Sequence, residues 1–182
     1  MKDLEPVIEA LLFVSGSPLS LEKIQDTLKG VSKTQLQEAI QALRCRYEEA
    51  KGGIQIIEVA GGYQMVTRPE FHPWLERLQK VRPSRLSRAA LETLALVAYR
   101  QPITRAEVEE VRGVTVDGVL KTLLERNLIR IVGRKNEIGR PILYGTTKEF
   151  LRYFGLQDIS DLPPLKEIEA LFPEIPVAST LP

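Results

Sequence analysis

Apolar residues in this chain recur first at helical spacing, then in alternation, then at helical spacing again, and the whole succession runs twice. In the first pass, Val7, Leu11 and Val14 share one side of a helix predicted over Pro6–Ser15, with Ile8, Leu12 and Phe13 beside them. A stripe that wide exceeds what a surface helix needs and implies burial on more than one face. Gly16 and Pro18 end it, Ser20 caps a second helix over Leu21–Lys29, and Gly30 stops that one. Ser32 with Gln35 makes a capping-box pattern, opening a third helix whose apolar face is Leu36, Ile40, Leu43 and Tyr47. The stretch GGIQIIEVAGGYQMVT then switches to strand periodicity. Ile54, Ile56 or Ile57 and Val59 precede a turn expected at Gly61 and Gly62, and Tyr63, Met65 and Thr67 follow it. After Pro69 a short closing helix is expected to bury Phe71, Trp74 and Leu75.

The second pass repeats this order. Aligning Pro18 with Pro102 gives an offset of about 84 residues, too long for a solenoid unit and right for a duplicated domain. Ser87 caps a helix with Leu91, Leu94, Ala95 and Ala98 expected inward, and Thr104 with Glu107 repeats the capping box. Gly113 ends the second helix, and a third runs from Thr115 or Val116 to about Asn127. A hairpin follows, with strands over Leu128–Val132 and Ile142–Gly145 and a tip from Gly133 to Gly139. Pro141 lacks an N–H, so the return strand is expected to start at a sheet edge. Thr146 and Glu149 are expected to cap a closing helix carrying Phe150, Leu151 and Phe154. Helix, helix, helix and a two-stranded wing is the winged-helix plan. The expected fold class is therefore α+β, mainly α. Two tandem winged-helix domains each carry three helices, a two-stranded wing and a closing helix. Their expected bounds are residues 1–79 and 88–156, with a linker at 80–87 and an acidic, Pro-rich, partly disordered tail at 157–182. The tail holds one short amphipathic segment, Leu165, Ile168, Leu171 and Phe172.

Charge changes the picture in one respect. The chain has 25 basic and 24 acidic residues, which weakens any reading as a strongly basic coat on nucleic acid. By region the sums are about −1 for residues 1–81, about +6 for 82–154 and about −4 for 155–182, so the second domain alone is mildly basic. The single cysteine, Cys45, permits no internal disulfide. The N-terminal stretch is acidic where a signal peptide needs basic residues, and its apolar run is too short to span a bilayer. A cytoplasmic protein without membrane contact is the expectation.

Catalytic candidates are few. His72 has no second histidine to share a metal, and Cys45, between Arg44 and Arg46, reads as a small semi-buried helix residue. Neither Gly52-Gly53 nor Gly61-Gly62 continues into a phosphate-binding loop. No cofactor and no enzymatic activity are expected. A winged helix raises DNA binding, in which the third helix enters the major groove. Here that helix presents Asp117, Gly118, Lys121, Thr122 and Glu125, a poor match to a phosphate-lined groove. Basic residues sit instead in the linker (Lys80, Arg82, Arg85, Arg88) and the second wing (Arg130, Arg134, Lys135, Arg140), where a solvated surface is the bland reading. Surplus apolar surface on the first helix favours protein contacts.

Three stretches are similar to a known family: LEPVIEALLFVSGSPLSLEKI, LSRAALETLALVAYRQPITRAEVEEVRGV and IGRPILYGTTKEFLRYFGLQDISDLP. They closely resemble segregation and condensation protein B (ScpB), over nearly the whole chain up to about residue 165. The resemblance implies a homodimer formed through the N-terminal domains. It also implies assembly with a kleisin subunit (ScpA-type) and, through it, the SMC ATPase, in a complex that condenses and partitions the chromosome for cell division. ATP hydrolysis would belong to that partner, DNA contact would be indirect or weak, and the protein would sit on the nucleoid through the complex. Chosen for apolar character in predicted helices, the dimer-face candidates are Val7, Leu11, Leu12 and Val14. The kleisin-docking candidates, chosen likewise, are Tyr99, Leu151, Tyr153, Phe154 and Leu156. The alternative reading is a winged-helix DNA-binding transcriptional regulator.

Overall fold

The structure, a computed structural model, describes residues 4–79 and 85–164. It falls into two compact units that divide between Ser84 and Arg85. Both are winged helices, and the fold class is α+β, mainly α.

In the first unit α1 (Leu4–Ser15), α2 (Leu21–Leu28) and α3 (Lys33–Glu49) precede a hairpin of β1 (Ile54–Val59) and β2 (Gly62–Thr67). The caps explain the boundaries. The Ser20 hydroxyl accepts from the Lys23 amide at 3.3 Å, and Ser32 and Gln35 form the expected reciprocal box. The three helices enclose Ile8, Leu12, Ile24, Leu36, Ile40 and Leu43. The turn differs from expectation by one residue. Ala60 and Gly61 occupy it, both with positive φ, and Gly62 is already in β2 opposite Val59. Gly62 is glycine for another reason: a Cβ there would lie 2.6 Å from the Leu19 carbonyl. That closeness allows Leu19 and Tyr63 to exchange two backbone hydrogen bonds at 2.9 Å.

The closing helix α4 (His72–Gln79) is a second correction. It was expected to bury Phe71 and Trp74, but Trp74 is 62% exposed and Phe71 and Leu78 are also exposed. Only Leu75 is half-buried, because the helix packs mainly on the 3₁₀ turn Pro69–Phe71 that leads into it.

The second unit contains α5 (Arg88–Arg100), β3 (Ile103–Thr104), α6 (Arg105–Arg112), α7 (Asp117–Glu125), β4 (Ile129–Arg134), β5 (Ile142–Thr146) and α8 (Lys148–Phe154). Its sheet has three strands, in the order β3-β5-β4, rather than the two expected. The residue after the proline supplies the extra pairing in both units, as the single bridge at Leu19 in the first and as a short strand at Ile103–Thr104 in the second. This places β5 in the middle. Pro141 escapes conflict by lying one residue outside the strand, where its carbonyl accepts from the Lys135 amide at 2.9 Å.

On α5 the buried residues are Ala90, Thr93, Leu94, Val97 and Ala98, so the inward face is turned from the one expected and leaves Leu91 and Ala95 exposed. The helix contacts α6, α7 and β5, and burial by elements on more than one side brings Thr93 inside. The cap of α8 is Thr147, whose hydroxyl accepts from the Phe150 amide at 3.1 Å. Thr146, expected in that role, directs its amide and hydroxyl to Gln101 Oε1 at 2.7 and 3.0 Å. Gly145 fits the narrow space this leaves, since a Cβ would stand 2.9 Å from both Gln101 Oε1 and Val132 Cγ1. Leu86, inside the stretch read as linker, is buried in the second core. Ile159 and Leu162, inside the stretch read as tail, pack on the same core. Residues 80–84 and the amphipathic segment Leu165 to Phe172 lie outside the described residues.

Candidate functional site: two apolar surfaces

The polar candidates come together nowhere. His72 Nε2 stands 3.5 Å from Glu76 on its own helix. Cys45, expected semi-buried, is exposed beside Gln41. Among the described residues no cluster of His, Cys, Asp and Glu is arranged to hold a metal ion. No helix among them is long and apolar enough to cross a membrane.

The first apolar surface lies on α1. Glu9 fastens this helix to α3: its carboxylate accepts from the Tyr47 hydroxyl and, at 2.5 Å, from Arg46 Nη2. The hydrogen bond from Tyr47 holds the Glu9 carboxyl below its ordinary range, aided by Arg46, and the same bond pushes the Tyr47 phenol up. With the helix so oriented, Ile8 and Leu12, one turn apart, point into the core. Leu12 is 2% exposed, which removes it from the four dimer-face candidates as a contact residue. Leu11 is half-buried against the same core, and Val7 is exposed. Val14 and Phe13 stand out at 78% and 75% exposure. Phe13 was read as part of a wide stripe buried on more than one face. Its offset of about 100° from Leu12 was the available signal.

The second surface is a groove of about 390 Å³ in the second unit, between α5 and α8. Leu91, Ala95 and Tyr99 line it from α5, Phe154 and Leu156 from α8 and the turn after it, and Leu162 and Pro163 close one side. A wider depression of about 840 Å³ shares Tyr99, Leu162 and Pro163 and adds Leu151, Arg130 and Lys148. The two open spaces therefore share a border made by Tyr99 and the segment after α8. Asp158 caps the 3₁₀ turn Ile159–Asp161 within that segment, and the Tyr99 hydroxyl donates to the Pro163 carbonyl at 2.8 Å. Burial pushes the Tyr99 phenol up, which favours the protonated form that donates this bond.

Of the five docking candidates, Tyr99, Phe154 and Leu156 meet in the narrow groove, and Leu151 joins Tyr99 in the wider one. Tyr153 lines neither. It is half-exposed and meets the ring of Phe154 edge-on at 5.1 Å. Leu91 and Ala95 were missed as groove residues because they had been assigned to the core. Leu162 and Pro163 were missed because Pro-rich composition reads as tail.

The helices that would read a DNA groove are constrained differently. On α7, Asp117 is paired with Arg105 at 2.5 Å, and the cation Lys121 faces Glu125 at 3.9 Å. Beside it Glu107 accepts from the Thr104 amide and from Lys135 Nζ at 2.7 and 2.9 Å. Those two bonds, the amide's the larger in effect, with help from the Thr104 hydroxyl, bring its pKa down to about 2.

Two winged helices in tandem, each exposing apolar side chains, define the class of protein to which the chain belongs. Within that class, the family profile described as "Segregation and condensation complex subunit ScpB" matches residues 6–165, and the chain belongs to that family. The chain is 52% identical over 168 residues to segregation and condensation protein B of Moorella thermoacetica, covering 92% of this chain and 86% of that protein. It is 47% identical over 172 residues to the protein of the same name from Syntrophotalea carbinolica, covering 94% and 87%. A crystal structure described as a dimer of the ScpB N-terminal domain complexed with ScpA peptide is 32% identical, spans 47% of this chain and 99% of its own, and has a TM-score of 0.41.

Proposed function

We propose that this chain is a non-enzymatic, dimeric subunit of the bacterial SMC–kleisin complex, acting in chromosome condensation and segregation on the nucleoid. Its first unit pairs two copies through Val7, Leu11, Phe13 and Val14. Its second unit holds a segment of the kleisin against Tyr99, Leu151, Phe154 and Leu156. Membership of a family described as a segregation and condensation complex subunit supports the setting. The observation that carries the docking reading is the apolar groove between α5 and α8, a preformed slot whose lining includes Tyr99 and the paired rings of Phe150 and Phe154. A slot of this kind takes the apolar face of an amphipathic helix. Nucleotide hydrolysis belongs to the SMC partner in this reading.

The test is to mix the chain with a kleisin middle segment and measure the mass of what elutes. A defined complex containing two copies of this chain is expected. Ala95→Glu places a carboxylate at an exposed position in the groove, so it leaves the melting temperature unchanged while weakening kleisin binding by about tenfold or more. Failure to co-elute, together with sequence-selective duplex binding at physiological salt, identifies a DNA-binding transcriptional regulator and sinks the proposal.

A further inference from the structure

The wing of the second unit carries a charge arrangement that the groove and the α1 surface leave unused. Several cations of this unit are held by carboxylates: Arg112 by Glu92, Arg105 by Asp117, Lys135 by Glu107 and Glu137, Arg152 by Glu149. Arg130, Arg134 and Arg140 are exposed and pair with no carboxylate among the described residues. All three lie on the wing. Their contacts are with its backbone: Arg134 Nη1 donates to the Arg140 carbonyl at 3.1 Å, and Arg130 Nε approaches the Thr146 carbonyl at 3.4 Å. The remaining guanidinium N–H groups stay available to an outside acceptor. The acid at the tip, Glu137, is taken up by Lys135 at 2.8 Å. Next to it Ile138 is fully exposed. The first wing has no such set, its one charged residue between Ile54 and Thr67 being Glu58, which faces Arg44 at 3.7 Å.

We propose that the second wing is a non-sequence-specific contact for duplex DNA, with the three arginines on backbone phosphates and Ile138 at the lip of the minor groove. Arginine forks match phosphate oxygens. Arg130 stands opposite Gly145 and Arg134 opposite Ile142, three positions apart on β5, so the bulge between Ile131 and Gly133 turns the two arginines to opposite faces of the wing, an arrangement that suits phosphates on either side of an inserted tip and not a single small anion. An apolar tip flanked by arginine is the combination that minor-groove proteins use. The acids of α7 keep that helix out of the major groove, so the wing touches DNA alone and reads no bases. Arg130 also lines the wider depression beside Leu151, so Arg134, Arg140 and Ile138 are the part of this contact that stands apart from the polypeptide-docking surface.

Fluorescence anisotropy of a short mixed-sequence duplex with the full chain, at several salt concentrations, tests this. Three phosphate contacts give a log–log salt slope of about −2.7, a loss of about 40-fold between about 50 and about 200 mM salt. Replacing Arg130, Arg134 and Arg140 together with alanine is expected to flatten the slope, while the same three changes to lysine retain it. Ile138→Ser lowers affinity and keeps the slope. Should the alanine triple variant melt early, Arg140→Gln alone is read, with a slope smaller in magnitude by about 0.9. An unchanged slope in these variants, or no binding at low salt, overturns the proposal. So does a poly-glutamate peptide that binds more tightly than the duplex and loses affinity in the triple variant, which makes the wing a site for an acidic polypeptide.

Discussion

At the scale of single residues, two positions hold more than their residue type announces. Thr93 is completely buried on α5, and its hydroxyl has no hydrogen-bond partner. A buried hydroxyl without a partner loses its water and gains nothing in return. Thr93→Val keeps the shape and replaces the hydroxyl with a methyl, so it is expected to stabilise the second unit by about 1–2 kcal/mol, read as a higher melting temperature. Gly62 is the opposite case. Ala at this position sets a Cβ 2.6 Å from the Leu19 carbonyl, and both atoms belong to backbone that cannot swing aside. The Leu19–Tyr63 bridge must open, and Gly62→Ala is expected to cost about 1–3 kcal/mol in denaturant unfolding of the first unit. Gly61, one residue away, needs glycine for its positive φ and has open space around it. Sequence could identify a glycine pair at a turn. Which of the two served the turn depended on Leu19, more than forty residues earlier, and no local pattern carries that.

At the scale of elements, one carboxylate ties three together. Glu107 belongs to α6, accepts from Thr104 at the junction with β3, and accepts from Lys135 in the wing. With a folded pKa of about 2 against an ordinary 4.5, its ionised form is favoured by folding. That contribution is fully present above the ordinary pKa and is lost as pH falls from there towards about 2. The side chain is partly exposed, so solvent screening reduces its size and leaves its direction intact. Thermal unfolding between pH 5 and pH 2 is expected to show a steeper loss of stability in the wild type than in Glu107→Gln, the two curves converging in acid. Equal slopes would mean that the lysine and amide contacts do not hold the charge. Elements of this kind were the most legible part of the sequence. The capping boxes at Ser32–Gln35 and Thr104–Glu107 formed as read, because a cap is decided by side chains three residues apart. Strand pairing at Ile103–Thr104 was not legible, since two residues carry no periodicity.

At the scale of the whole molecule, the duplication and the family were legible in the chain, while the division between core and surface was legible only in part. The α1 stripe shows why. Six apolar residues in one helix, Val7, Ile8, Leu11, Leu12, Phe13 and Val14, exceed what one small core accepts, and their order along the chain cannot say which face turns inward. Contact with α3 and the Glu9 link to Tyr47 decide it, burying Ile8 and Leu12 and exposing Phe13 and Val14. The proposed pairing of two copies can therefore be tested without confusing interface with core. Lysine at Val14 stands in solvent in a single copy, where a surface change shifts stability by no more than about 0.5 kcal/mol. In a paired face it buries an ammonium against apolar side chains, at several kcal/mol. Mass measurement at micromolar concentration is expected to find the wild type as a dimer and Val14→Lys as a folded monomer with nearly the same melting temperature. Leu12→Lys, at a buried position, is expected to unfold the first unit at any concentration. A Val14→Lys chain that remains dimeric would move the pairing away from α1, and a wild type of monomeric mass would remove it altogether.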